Sequence, residues 1–268
     1  MRSPVSLAGV LCVVAILSAL LSFQPAHAQD VITVNQCPNS PPPPVTLQID
    51  CTHVTDPSAK ALCRPFAENQ ACKVFFAYRK ITGINLEDYC PTFTYTLYDK
   101  NQWPKELGDA GGFSRRCGAD LMTDGIIQSS IGPYDVHEIL HVYQDNVLGA
   151  LPDGHILFGP AMAEAQRLIG DSKSYWNTMG RMKVQVARTT DAQYAGLSPD
   201  ASCVKAEFYI EDSLYVKDIH NVELFYRKLE RGGTKDTAGR QARFNRMFDA
   251  VSGGTARPYL LAHGCAPF

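Results

Sequence analysis

"DVHEILHVYQD", residues 135–145, places two histidines four positions apart with a glutamate directly after the first. Residues i and i+4 share one face of an α-helix, one turn apart. In a helix His137 and His141 therefore project side by side and offer two imidazole nitrogens to one metal ion, at about 2.0–2.1 Å each. Glu138 lies next to the pair, within reach of a metal-bound water as general base. Asp135, following Gly132 and Pro133, reads as the N-cap of a helix that runs to about Leu148. Val136, Leu140, Tyr143 and Val147 recur at helical spacing and give a buried stripe beside the histidines. Histidines set among apolar residues need a polar partner, and a metal satisfies both. The competing reading is a capping box, with Glu138 turned back to the Asp135 amide and the histidines as ordinary surface or core residues.

A catalytic zinc takes three protein ligands and keeps one position open. Glu164, in "GPAMAEAQRLIGD" (159–171), follows His141 on the next expected helix, whose start Pro160 marks. His155, in the loop "LPDGHILFG" (151–159), is the other candidate, although an exposed histidine is ordinary in a loop with two glycines. Glu164 is preferred as the third ligand. The metzincin extension of the motif is absent, because Gln144 and Val147 stand where it requires glycine and histidine. "RRCGAD" (115–120) is similar to the metzincin cysteine switch, but it lies outside any N-terminal pro-segment, and Cys117 is assigned to a disulfide. Tyr209, Tyr215 and His220 are candidates for binding a transition-state oxyanion.

The stretch "HEILHVYQDNVLGALPDGHILFGPAMAEAQ", residues 137–166, resembles the gluzincin pattern, in which HExxH is followed by a glutamate on the next helix. That resemblance to gluzincin zinc metallopeptidases implies an α+β, zincin-like fold. A small mixed β-sheet lobe would be followed by a mainly helical lobe, with the HExxH helix at the cleft and an edge strand within 119–127 beside it. It implies one Zn2+ per chain held by His137, His141 and Glu164, with Glu138 as catalytic base and Asp145 at most orienting a ligand histidine. The activity implied is hydrolysis of peptide bonds in a peptide or protein substrate. The alternative is a catalytically inactive zincin-like metal-binding or interaction protein. Two departures bear on the subfamily: Leu168 stands where thermolysin-like enzymes carry aspartate, and Ala165 where smaller peptidases of the clan carry glycine.

The remaining sequence points to export. Residues 1–28 have a basic start, an apolar run and a closing Ala26-His27-Ala28, the pattern of a cleavable signal peptide. Eight of the nine cysteines lie beyond it, an even count that reads as up to four disulfides in an oxidising compartment. Residues 29–56, with four consecutive prolines at 41–44, read as an extension strapped on through Cys37 and Cys51. Residues 57–268 read as the catalytic domain. No later stretch suits a membrane span, and the formal charge of −2, with no basic cluster, speaks against nucleic acid or an anionic membrane as partner. Strands are expected at 92–99 and within 119–128, and helices at 58–82, 134–148, 160–170, 172–190, 202–231 and 238–251. Strands first and helices afterwards give α+β.

Overall fold

A computed structural model of the chain describes residues 30–35, 46–66, 71–108, 111–123, 133–147, 156–229 and 237–265. Residues 31–268 form one compact unit, and the expected signal segment 1–28 lies outside the described residues. The architecture is α+β, a five-stranded mixed sheet followed by helices.

The strands are β1 (Val31–Val34), β2 (Thr46–His53), β3 (Thr92–Tyr98), β4 (Gly112–Arg115) and β5 (Gly118–Met122), in the spatial order β1-β2-β3-β5-β4. β2, β3 and β5 are parallel, and β1 and β4 close the two edges antiparallel. β3 is rich in threonine and aromatic residues, which suit a pleated surface. Its alternate residues Phe93, Tyr95 and Leu97 point into the core with Leu47, Ile49 and Cys51 of β2. The segment read as a strap, 29–56, thus supplies two strands of the sheet itself.

The edge strand is β4, whereas the sequence reading sought it within 119–127. β5 is held between β3 and β4, because the chain turns back at Arg116 and Cys117 and pairs β4 to the outside of β5. Gly118 permits this: a Cβ there would sit 2.7 Å from the Thr94 carbonyl oxygen of the neighbouring strand. The Cys90–Cys117 disulfide ties that turn to the chain just before β3.

Short helices α1 (Pro57–Lys60) and α2 (Cys63–Pro65) lead to α3 (Cys72–Thr82), which ends at Gly83 as the sequence suggests. α4 is Pro133–Val147. Val74, Phe75, Tyr78 and Ile81 of α3 are buried, and the Phe75 ring meets Phe93 edge-on at 5.0 Å. The Tyr78 hydroxyl donates to the Val136 carbonyl at 2.6 Å, and the Tyr143 hydroxyl donates to the Phe75 carbonyl at 3.3 Å. These bonds satisfy polar atoms that burial would otherwise leave costly. They also fix the motif helix α4 against α3 and the sheet.

The helical part continues with α5 (Phe158–Ile169), α6 (Ser172–Arg188), α7 (Pro199–Lys217), α8 (Asn221–Lys228), α9 (Thr237–Val251) and α10 (Ala256–Ala262). The helix expected over 202–231 is two helices. The Asp218 carboxylate accepts the His220 amide at 3.0 Å, a local turn that competes with helix continuation. Asp171 caps α6 by accepting the Ser174 amide, and Ser198 caps α7 ahead of Pro199. Ala161, Ala163 and Ala165 let α5 pack closely among its neighbours.

Disulfides join Cys51 to Cys63, Cys90 to Cys117 and Cys203 to Cys265; Cys72 is also disulfide-bonded, and Cys37 lies outside the described residues. The last of the three closes the longest loop, 62 residues, and is worth about 4 kcal/mol by loss of chain entropy in the unfolded state. Oxidised cysteines agree with an oxidising compartment. Among the described residues no helix is long and apolar enough to cross a membrane.

Candidate metal centre and cleft

α4 begins at Pro133, so Asp135 lies within its first turn rather than capping it. Pro133 at the first position needs no amide partner, which lets the helix start three residues earlier than the cap reading placed it. Asp135 is fully buried, and burial raises its pKa to about 7. Val136, Leu140 and Tyr143 form the buried stripe as expected; Ile139 and Val142 are buried too, so α4 is enclosed on more than one face.

His137 and His141 stand side by side, their rings 4.8 Å apart and their Nε2 atoms 3.1 Å apart. Two donors bound to one tetrahedral zinc at 2.0–2.1 Å lie about 3.3–3.4 Å from each other. The pair therefore fits a shared metal with a shift of a few tenths of an ångström. Both rings also pack on Phe158, at 4.5 and 4.7 Å, which restricts their rotation.

Glu138 does not turn back to the Asp135 amide. Its carboxyl faces the edge strand, accepts the Ser114 backbone N–H and rests against Gly112. An edge strand has outward amides without a strand partner, and β4 uses one to hold this side chain. Glu138 is 7 % exposed, and burial raises its pKa to about 7 despite the Ser114 hydrogen bond. A Cβ on residue 112 would come within 2.8 Å of Glu138 Cγ and 2.9 Å of Oε1, so glycine is what leaves room for the carboxyl.

A cleft of about 720 Å³ opens beside these groups. One side is formed by Gly111 and Gly112 before and within β4, with His137 and Glu138 of α4. Phe158, Met162 and Gln166 of α5 also line it, as do Ser174, Asn177, Thr178 and Arg181 of α6. The α6 groups were not singled out in the sequence, although their spacing of three, one and three residues marks one polar helix face.

Glu164 is buried but does not join the histidines. Its two carboxylate oxygens accept from Arg167, Nε at 2.7 Å and Nη2 at 2.5 Å, in a bidentate pair on the same helix. Phe158, Met162 and Gln166 face the cleft, and at 100° per residue Glu164 points about 160° away from the middle of that face. Among the described residues, the group of three whose donor atoms gather within 4.8 Å is Cys203, Glu207 and Cys265. There the two sulfurs are joined to each other, so no thiolate is available to a metal. His155 and the side chain of Asp145 lie outside the described residues.

The oxyanion candidates lie elsewhere. Tyr209 packs on Tyr259 with the rings tilted and 4.9 Å apart, Tyr215 is buried beside Glu164, and His220 is exposed at the start of α8. None of them lines the cleft.

α7 carries three buried acids that the sequence reading passed over: Glu207, Glu211 and Asp212. Glu211 accepts the Leu157 amide at 2.5 Å, and Leu157 is the one described non-glycine residue with positive φ, at 65°. Such a backbone costs about 1–2 kcal/mol for a residue with a Cβ. The carboxylate holds that turn and so sets where α5 starts, with Phe158 against the two imidazoles. Burial together with Asp212 and Glu207 pushes the Glu211 pKa well up, and burial raises Asp212 to about 7. Adjacent acidic residues inside an otherwise apolar run, "FYIEDSLY" (208–215), were the available signal.

Compared with protein families, with curated proteins and with solved structures, the chain finds no match in any of the three.

Proposed function

We propose that the protein is an exported zinc metallopeptidase of the gluzincin type, with a zincin-like arrangement of sheet, motif helix and helical lobe. The observation that carries this reading is the geometry around α4. Two imidazole Nε2 atoms lie 3.1 Å apart next to a buried carboxyl, beneath an edge strand and beside an open cleft. His137 and His141 are metal ligands. The third position falls to His155, or to Glu164 if α5 also turns about its axis, because release from Arg167 alone leaves Glu164 facing away from the cleft.

When bound, the metal supplies an acidified water and a Lewis acid for the scissile carbonyl. Glu138 takes the proton from the attacking water and delivers it to the leaving amine. A carboxyl whose pKa lies near 7 exchanges a proton with little driving force either way in the neutral range. Ser114 aims that carboxyl through its amide, and Phe158 holds the imidazoles. β4 offers free main-chain groups to an extended peptide, which binds by adding a strand to the sheet.

Gly112→Ala tests whether the Glu138 position matters. The new methyl displaces a flexible side chain and not the backbone, so the fold survives. Hydrolysis is expected to fall about 10- to 100-fold, since displacements near 1 Å cost on that order. Thermal unfolding checks that the melting temperature stays within a few degrees.

The deciding experiment is metal analysis of the mature protein with an assay on an unfolded protein substrate. About one zinc per chain with hydrolysis is expected. Stoichiometric zinc without hydrolysis establishes the second reading, an inactive metal-binding relative, which the Arg167 clamp on Glu164 favours. Absence of zinc sinks both. Glu164→Gln and His155→Ala, compared for zinc retention, identify the third ligand.

A further inference from the structure

The part of the cleft lined by α6 and Gln166 is rich in donors. Thr178 and Gln166 are almost fully buried, 4 % and 3 % exposed, and the Thr178 hydroxyl donates to Gln166 Oε1 at 3.0 Å. The same hydroxyl oxygen accepts from Arg181 Nη2 at 3.5 Å, and Arg181 too lines the cleft. With Gln166 Oε1 engaged, its NH2 group is left as a donor, and Ser174 and Asn177 add further donors on the same face. Among the described residues that line the cleft, Arg181 is the one full-time cation and Glu138 the one carboxyl. Among the described residues no carboxylate pairs with Arg181, in contrast to Arg115, Arg167, Arg227 and Arg257.

Arg115, Arg167, Arg227 and Arg257 spend their charge in ion pairs within the fold. Arg181 is exposed and lines the same cleft as His137 and Glu138, among the polar groups of α6. We infer that Arg181, positioned by Thr178 and Gln166, forms an anion subsite that selects peptides by a carboxylate. This deepens the peptidase reading and rests on it for its substrate class. A guanidinium matches a carboxylate with two parallel N–H···O bonds, a match that an ammonium cannot copy. The carboxylate comes either from the C-terminus of the substrate or from an acidic side chain. The two sources share this chemistry and differ in the consequence: the first trims chain ends, the second cuts internally beside acidic residues.

The test uses the mature, zinc-loaded protein and three matched peptide pairs. One pair differs as C-terminal acid against carboxamide; the others differ as Glu against Gln on either side of the cleaved bond. One pair is expected to show at least a tenfold preference for the acid in kcat/KM, carried by KM. Arg181→Gln abolishes the preference, and Arg181→Lys restores part of it. Calorimetric binding of the same pairs to the Glu138→Gln protein is expected to give the same order of affinities, lost again on Arg181→Gln. The C-terminal pair responding assigns the chain end, and a Glu/Gln pair responding assigns the side chain. A preference that survives Arg181→Gln overturns the subsite. A uniform fall in kcat for charged and neutral peptides alike overturns it too, and moves Arg181 to transition-state binding. If the wild type cleaves no peptide, the peptidase reading fails separately. Charge-dependent binding that still depends on Arg181 then upholds the subsite, and its absence overturns it.

Discussion

Glu138→Gln is expected to lower kcat for hydrolysis by about three orders of magnitude or more, toward the upper end of what a general base contributes, while zinc content stays unchanged. Glutamine fills the same volume and still accepts the Ser114 amide through its carbonyl oxygen, but it cannot take a proton. The variant therefore removes the proton acceptor and leaves the cleft in place. Folding gives an independent readout. A buried carboxyl with its pKa raised is favoured in its neutral form, so its stabilising share is full below the unfolded pKa and is lost as pH rises toward 7. The amide is neutral at every pH. The metal-free variant is thus expected to be at least as stable as the metal-free wild type at pH 8. Activity runs the other way: the base works ionised, so kcat/KM falls as pH drops below the Glu138 pKa. A nearby dication lowers that pKa, which places the acid limb at or below 7. Unchanged hydrolysis in Glu138→Gln with zinc still bound would remove Glu138 from the mechanism.

The second large effect is expected from His137→Ala combined with His141→Ala, which should weaken zinc binding by more than about a hundredfold, beyond the 10- to 100-fold that supporting groups alone provide. A ligand present at a hundred times its Kd stabilises the folded state by about 2.7 kcal/mol. For a chain of this size that corresponds to roughly 5–10 °C in Tm. Added zinc should raise the Tm of the wild type by that order and leave the double variant unmoved. The rings contact Phe158 and are half-buried, so their truncation alone costs little beside this difference. An equal zinc-induced rise in both proteins would mean that the ion binds elsewhere, and the metal centre would then have to be abandoned.

Local patterns carried far in this sequence. The HExxH spacing puts His137 and His141 together because a helix returns to the same face every three to four residues, and no partner element is needed for that. The alternation in β3, the stop at Gly83 and the even cysteine count are legible for similar reasons, since each depends on neighbours in the chain. The start of α4 was less legible, because Pro133 and Asp135 are both good opening residues and only burial of Asp135 under the sheet decides between them.

The sequence by itself determined the α+β class, the position of the motif helix, the pairing of its histidines and the cysteine-rich character of the chain. The tertiary structure decided where each side chain of the site looks. Glu138 faces Gly112 and Ser114 because β4 folds to the outside of β5, a choice made by sheet pairing between distant strands. Glu164 meets Arg167 and not the histidines because packing of α5 turns Phe158, Met162 and Gln166 toward the cleft. Glu211 sets the start of α5 from α7, more than fifty residues beyond Leu157, by holding one backbone turn. Helical periodicity is a one-dimensional signal, whereas the rotation of one helix against another is fixed by contacts that no single segment contains.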